Sequence, residues 1–455
     1  MGGFENILYN LPEVQAPKQK RLAFKEKLKW TLIILVLYFI LGLVPLYGLG
    51  EAALAQFEFF AIILASPMGS IISLGIGPIV TASIVLQLLN GSGLVKFDLT
   101  SHEGKRRFQG IQKLLSIFFI IFEAFIYVQM GGLRPAQGFS SFIIIFQLFL
   151  GGLMIMFMDE VVSKWGFGSG ISLFIAAGVS QTIFVRLFNP LSSPNNPGVA
   201  AGAVPALIQS LSAGEAVTAG LMFAAIAATI IVFLLVVYAQ AMRVEVPLSF
   251  GRVRGYGIRW PLHFFYTSNI PVILVAALIA NVQLFARLLY NWGHPILGVF
   301  SGNTPISGLA EWLYGPQIVS KLITHSLQLT DIWHALVYVL FMMFGAMLFG
   351  IFWVQTSGLD ARSQANQMIN SGLQIPGFRK DVRVLERMLS RYIWPLTVMG
   401  GLAVGLLAAL ADISGAYGSG TGILLTVMIV YRLYEDIAQH HMMDMNPAMR
   451  KFITG

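Results

Sequence analysis

The chain contains no cysteine. That excludes disulfides, thiolate zinc sites and cysteine-ligated iron–sulfur clusters. Charge is scarce as well. Asp, Glu, Lys and Arg make up 11% of the 455 residues, against about a quarter in an average soluble domain. A water-soluble globule of this size cannot cover its surface with so few charges, so a soluble enzyme is excluded. Motifs that carry chemistry are missing too. There is no Gly-x4-Gly-Lys-Ser/Thr loop to cradle phosphates. The seven histidines (102, 263, 294, 325, 334, 440 and 441) are scattered, and only His440 and His441 are neighbours. No metal set and no nucleophile–base pair stands out, so neither a cofactor nor an enzymatic activity is expected.

Apolar residues dominate what is present. They form 56% of the chain, and the mean hydropathy is +0.75. Ten apolar runs follow one another, near residues 30–47, 74–89, 114–128, 142–158, 171–187, 216–237, 270–289, 333–354, 393–410 and 422–434. A membrane-crossing helix needs about 20 such residues, so the expectation is an all-α membrane protein with ten transmembrane helices. The first 29 residues are polar, with Pro12, Pro17 and six Lys/Arg ahead of any apolar run, unlike a signal peptide. With both termini inside, 25 of the 29 Lys and Arg fall in inside segments and 4 in outside ones (Arg134, Arg186, Arg287 and Lys321). Positive charge collects on the cytoplasmic side, so cytoplasmic termini are expected.

A long connection, Asn189–Gly214, follows the fifth run. Two halves of five spans face opposite ways, which is the topology of an inverted repeat with its site between the halves. The expected divisions are a segment 1–29, a first half 30–188, an external linker 189–214, a second half 215–437 and a tail 438–455. No similarity between the halves is visible, so this division rests on counting.

Several stretches break the pattern. Phe57–Leu64, FEFFAIIL, is apolar but too short to cross. It runs into Ser66-Pro67-Met68-Gly69 and then Gly75 and Gly77-Pro78. Two readings stay open on pattern alone: a re-entrant segment lining a cavity, or a helix lying flat at the interface. Arg243–Phe250 alternates in polarity, Gly251, Gly255 and Gly257 supply a turn, and Ile258–Tyr266 can return as a second strand. Arg252 and Arg254 then sit near the tip of a hairpin. Anionic headgroups account for most juxtamembrane arginines. A projecting basic hairpin exceeds that need and suits ribosomal RNA or another acidic surface. Within the spans, Glu123 is the one mid-span carboxylate, with Thr81, Asn281 and Gln283 as further polar groups. Asp159, Glu160 and Asp412 lie at span ends. Glu123 is expected to act in structure or gating rather than in ion coupling, and the other polar groups to bond helix backbone or a neighbouring span.

Six ordered motifs carry a resemblance: LGIGPIVTA (74–82), GSGISLFIAAG (168–178), RVEVPLSFGRVRG (243–255), SNIPVIL (268–274), GLQIPGFR (372–379) and GSGTGILL (418–425). Together with PEVQAP (12–17) they resemble the SecY family, the channel subunit of the protein translocon, over nearly the whole chain. PEVQAP and GLQIPGFR look archaeal in style. The resemblance implies two five-span halves around a central pore, with a re-entrant plug helix that would include Phe57, Phe59, Phe60, Ile62, Ile63, Leu64 and Pro67. It implies a pore ring of Ile76, Val80, Ile171, Ile175, Ile273 and Leu425. Ile76/Val80 and Ile171/Ile175 are i,i+4 pairs on single helix faces; taken alone such pairs read as ordinary core, so the ring rests on the resemblance. It further implies a lateral gate with Thr81, Glu123 and Asn281 at its polar positions, and ribosome-binding charges at Arg252, Arg254 and Arg379. No cofactor is implied. The implied partners are SecE-type and Sec-beta-type small membrane subunits, the ribosome, signal sequences and nascent polypeptides, and membrane lipids. The implied function is a passive protein-conducting channel in the cell membrane that passes unfolded secretory chains and releases hydrophobic segments sideways. The alternative is a secondary transporter of a small solute, which also uses inverted repeats and broken helices.

Overall fold

The computed structural model describes residues 10–19, 22–50, 69–91, 94–95, 97, 101–129, 133–193, 196–250, 257–267, 270–301, 304–370, 373–374, 381–417 and 420–445. Ten long helices match the ten apolar runs one to one. They are α1 (Phe24–Leu43), α2 (Gly77–Gly91), α3 (His102–Gln129), α4 (Ser141–Trp165), α5 (Gly170–Phe188), α6 (Ala216–Ala241), α7 (Ile270–Asn291), α8 (Leu329–Thr356), α9 (Val382–Ile413) and α10 (Gly420–Met445). Among the described residues, seven helices are long and apolar enough to cross a membrane by length and composition alone. The other three fall short for visible reasons. α2 has only 15 residues, α1 begins with Lys25, Glu26, Lys27 and Lys29, and α10 carries Arg432, Glu435 and Asp436.

Helix ends follow local chemistry. Pro78 sits in the first turn of α2, where its missing N–H costs nothing. The Asp381 side chain accepts from Arg383 N at 2.9 Å and starts α9. Gln328 and Asp331 form a reciprocal capping box on α8. Hydropathy misplaced several ends. α9 starts at Val382 rather than near 393, and α10 runs to Met445 rather than ending near 434. In both, charged turns continue the helix beyond its apolar part. The connection 189–214 is not plain loop either. It holds a small hairpin (Ser192–Ser193 with Asn196–Ala200) and a helix, Ala203–Ala213. That helix is apolar but only 11 residues long, too short to read as a span, and it ends at Gly214 with φ +77°.

One end of the bundle gathers most of the charged connections. An extended strap at residues 12–15 crosses the ends of α3 and α4 there. Val14 N donates to Glu160 Oε2 at 2.9 Å, Lys113 bonds Pro12 O and Glu160, and Trp165 Nε1 donates to Gln15 O at 2.9 Å. The start of α1 meets the end of α10 through Lys27 and His440 at 3.2 Å and an edge-on Phe24–His441 contact. Arg243, just past α6, reaches Glu435 of α10 at 2.5 Å. At the opposite end, backbone bonds tie the α1–α2 connection to the α3–α4 connection, Gly50 N to Arg134 O and Ala136 N to Gly48 O.

The two sets of five helices meet along two lines. α5 packs on α10 along one, and α2 packs on α7 and α8 along the other. Large apolar side chains remain exposed on outward faces, among them Val36, Phe118, Phe142, Phe223 and Ile230, as a lipid surround requires. The two long basic connections share a sheet. Strand β1 (Arg243–Phe250) pairs antiparallel with β2 (Gly257–His263), from Arg243 opposite His263 to Ser249 opposite Gly257. The return strand therefore starts one residue earlier and ends three earlier than expected. β3 (Leu373–Gln374), from the α8–α9 connection, pairs with Phe250 and Ser249 on the other edge of β1.

Candidate pore and lateral seam

Gly75 takes φ +57°, a turn only glycine makes without strain, and delivers the chain into α2. Val80 N bonds Ile76 O at 3.1 Å, so Ile76 and Val80 stack one turn apart. α5 begins at Gly170 and sets Ile171 and Ile175 on one face in the same way. Ile273 lies in the first turn of α7 and Leu425 in the second turn of α10. All six expected ring residues belong to or pack against one large apolar cluster, made mostly of residues from α6 to α10. Val80 and Leu425 are buried, while Ile76, Ile171, Ile175 and Ile273 are half-buried. A cavity of ≈ 450 Å³ adjoins this cluster on the basic end. Val80, Ile171 and Ile273 line it on one side, and Ser83, Gln87, Gln109, Gln112 and Ser172 give it polar walls. Gln112 Nε2 of α3 donates to Ser83 Oγ of α2 at 2.7 Å, which fixes one wall. The cavity thus has both polar and aliphatic walls, and it lies against three of the six expected ring residues.

The expected gate residues come together at the line where α2 meets α7. Asn281 Nδ2 donates to Thr81 Oγ1 at 3.0 Å. The Thr81 hydroxyl has one proton and two acceptors in reach, Gly77 O at 2.9 Å and Glu123 Oε1 at 3.3 Å. Glu123 is buried, 7% exposed. Its space comes from Gly77, where an added Cβ would stand 3.2 Å from Glu123 Oε2. Three helices, α2, α3 and α7, thus share one polar contact in an otherwise apolar seam. Gln283 bonds Leu313 O at 3.3 Å, a turn carbonyl in the α7–α8 connection rather than the helix backbone or neighbouring span expected of it.

The plug residues Phe57 to Pro67 and the arginines Arg252, Arg254 and Arg379 lie outside the described residues. Around the basic end, Lys164 bonds Glu13 and Val14 O. The Lys164 ammonium holds the Glu13 carboxyl below its ordinary range. Burial lowers the His263 imidazole at the root of β2. Gln112 and Ser83 on the cavity wall were not among the residues the sequence singled out; a glutamine just before the third apolar run and a serine within the second carry no signal of facing each other.

Comparison with known proteins agrees with this geometry. A family model described as SecY matches residues 70–434, and one described as the plug domain of Sec61p matches residues 36–69. The protein translocase subunit SecY of Methanothermobacter thermautotrophicus is 49% identical over 454 residues, 99% of this chain and 98% of that protein. The Pyrococcus furiosus subunit is 45% identical, over 99% of both chains. A solved structure described as a protein-conducting channel superposes with a TM-score of 0.83 at 45% identity, covering 97% of this chain and 98% of the other. Sec61 in the canine ribosome–channel complex gives 0.80 at 44%, with the same coverage. The transporter alternative finds no support among these similarities. The ten-helix fold and the matches over nearly its full length place the chain in the SecY family, as a multi-pass membrane protein and the protein-conducting channel subunit of a Sec translocon.

Proposed function

We propose that Ile76, Val80, Ile171, Ile175, Ile273 and Leu425 form the seal of this channel and that Thr81, Glu123 and Asn281 latch its lateral exit. The observation that carries the reading is the gathering of six aliphatic residues from α2, α5, α7 and α10 in one cluster beneath a polar-walled cavity. A narrow apolar neck offers no hydrogen bonds to a hydrated ion and empties of water when nothing fills it. A passing polypeptide supplies its own bulk, and the aliphatic collar closes around it. Hydrophobic segments leave where α2 meets α7 and α8, because transfer of about 20 apolar residues into lipid is favourable. The plug would lie at 57–67 and back the seal.

The same reading sets the channel in the cell membrane with both termini and the basic end in the cytoplasm, since 25 of its 29 Lys and Arg lie in the connections assigned to that side. The two halves then divide at 189–214. Arg252, Arg254 and Arg379 would meet the ribosome, whose phosphates attract arginine clusters. SecE-type and Sec-beta-type subunits, signal sequences, nascent chains and membrane lipids complete the partners. The chain is a conduit and not an enzyme; the driving force comes from the partner that feeds it.

Ion conductance of the purified channel in planar bilayers tests the seal. Ile76→Asn, Ile171→Asn and Ile273→Asn place an amide in the neck and are expected to leak, and to admit chains with weak signal sequences. Ile230→Asn, on the exposed face of α6, is expected to harm insertion without leak. Equal conductance in both groups, at the parent level, would place the pore elsewhere.

A further inference from the structure

α4 turns into α5 at the basic end, and α9 turns into α10 at the opposite end. At the first turn Asp159 of α4 reaches across. Its Oδ1 accepts from Ile171 N at 2.9 Å and from Ser169 Oγ at 3.4 Å. At the second turn Asp412 of α9 does the same. Its Oδ1 accepts from Thr421 N at 2.9 Å, while Oδ2 takes the Tyr338 hydroxyl at 2.8 Å and the Thr421 hydroxyl. In each case the bonded amide belongs to the second residue of the new helix. In each case the first residue is a glycine with no space for a side chain. A Cβ on Gly170 would stand 2.6 Å from Asp159 Cα, and one on Gly420 would stand 1.9 Å from Ala411 C. Both glycines close a Gly-Ser-Gly triplet, 168–170 and 418–420. Counting on from them, Ile171 corresponds to Thr421 and Ile175 to Leu425.

A helix start leaves orphan N–H groups that need acceptors. The usual remedy is a cap from the preceding residue, yet the Ser169 side chain makes no such cap. The carboxylate of the previous helix takes that role, so each bond fixes one helix relative to another rather than closing a helix on itself. The same joint occurs once in each half and at opposite ends, as a two-fold axis in the membrane plane demands. Each joint lies within five residues of an expected ring position, and α5 and α10 pack on each other.

We propose that Asp159 and Asp412 are matched positioning residues that set the heights of α5 and α10 and so hold Ile175 and Leu425 level in the closed neck. The proposal rests on the ring reading above. Its test is resting conductance in planar bilayers beside thermal stability of the same purified variants. Asp159→Ala and Asp412→Ala are expected to leak several-fold more than the parent. Asp159→Asn and Asp412→Asn keep the Oδ1 acceptor and are expected to conduct near the parent level. Val162→Ala removes buried bulk from α4 without touching the joint, and is expected to lose stability without leak. Gly170→Ala and Gly420→Ala force the same joints apart from the other side and should leak too, which covers failure of an alanine variant to reach the membrane. Ile171→Asn runs in parallel as a direct probe of the ring. Leak in Ile171→Asn with parent conductance at both joints overturns the positioning role and leaves the ring standing. Equal leak in the Ala, Asn and Val162→Ala variants also overturns it, as general loosening. Parent conductance in Ile171→Asn overturns the ring reading and the proposal with it.

Discussion

Asn281 of α7 donates to the Thr81 hydroxyl of α2 at 3.0 Å, and that hydroxyl lies 3.3 Å from Glu123 of α3. The first bond crosses the line between the two halves; the second stays within one. Only the first is lost when the halves part.

Asn281→Ala is therefore expected to favour opening. Hydrogen bonds between membrane helices contribute roughly 0.6 to 1.7 kcal/mol, which corresponds to about a three- to eighteenfold shift of the closed–open ratio. Insertion assays with signal sequences of graded hydrophobicity should show a lower threshold. Thr81→Val should give a similar shift, and the double variant little more than either alone. An unchanged threshold in all three would confine these residues to bonds within their own halves.

Charge reversal at Arg252, Arg254 and Arg379 is the second expectation. Arg252 follows Phe250 by two residues and Arg379 follows Gln374 by five, and these strands pair in one sheet. Arg252→Glu with Arg254→Glu, or Arg379→Glu alone, should weaken ribosome binding in a co-sedimentation assay while leaving the channel in the membrane. Parent binding should fall as salt rises, because the contacts are ionic.

The strap should loosen in acid. Lys164 holds the Glu13 carboxyl below its ordinary pKa of 4.5. A lowered carboxylate pKa stabilises the attached form above the free value, and this contribution disappears as pH falls from there through the attached value. The pair is mostly exposed on the glutamate side, 67%, so it contributes only about 0.2–1 kcal/mol. Protection of Val14 N from hydrogen exchange, taken relative to the intrinsic rate at each pH, should fall below about pH 4.5, since Val14 N bonds Glu160. Lys164→Ala should lower that protection at neutral pH and flatten the acid response.

Close approach of α8 and α9 gives a stability test. A Cβ on Gly405 would stand 2.5 Å from Met342 O, and one on Gly401 would stand 2.9 Å from Met347 Cα. Small residues let membrane helices touch at their backbones. Gly405→Leu is expected to lower stability by about 1–3 kcal/mol or more through overpacking, seen as a reduced Tm in detergent. Leu410→Ala on the same helix, half-exposed, should change it little.

The ten spans were legible because lipid demands unbroken apolar runs, and hydropathy detects that demand directly. Their ends were not, since the charged turns Arg383 to Arg391 continue α9 where water takes over from lipid. The mid-span polar residues stood out against apolar neighbours, so Thr81, Glu123 and Asn281 were legible as candidates, though nothing in the sequence pairs position 81 with position 281. The ring was illegible from pattern. Ile175 among Leu173 and Phe174 looks like any core residue, and the resemblance to a family had to select it. The two joints were not legible: Gly-Ser-Gly occurs in each half, but Asp159 stands nine residues before its triplet and Asp412 six before its own, so no shared spacing relates the acids to the glycines.

The three-stranded sheet has a mechanical consequence. β1 and β2 lie between α6 and α7, and β3 lies between α8 and α9. A force applied to either connection is therefore divided among four helices, including the two that face α2. Whatever docks on this sheet bears on both connections at once, because backbone hydrogen bonds join them.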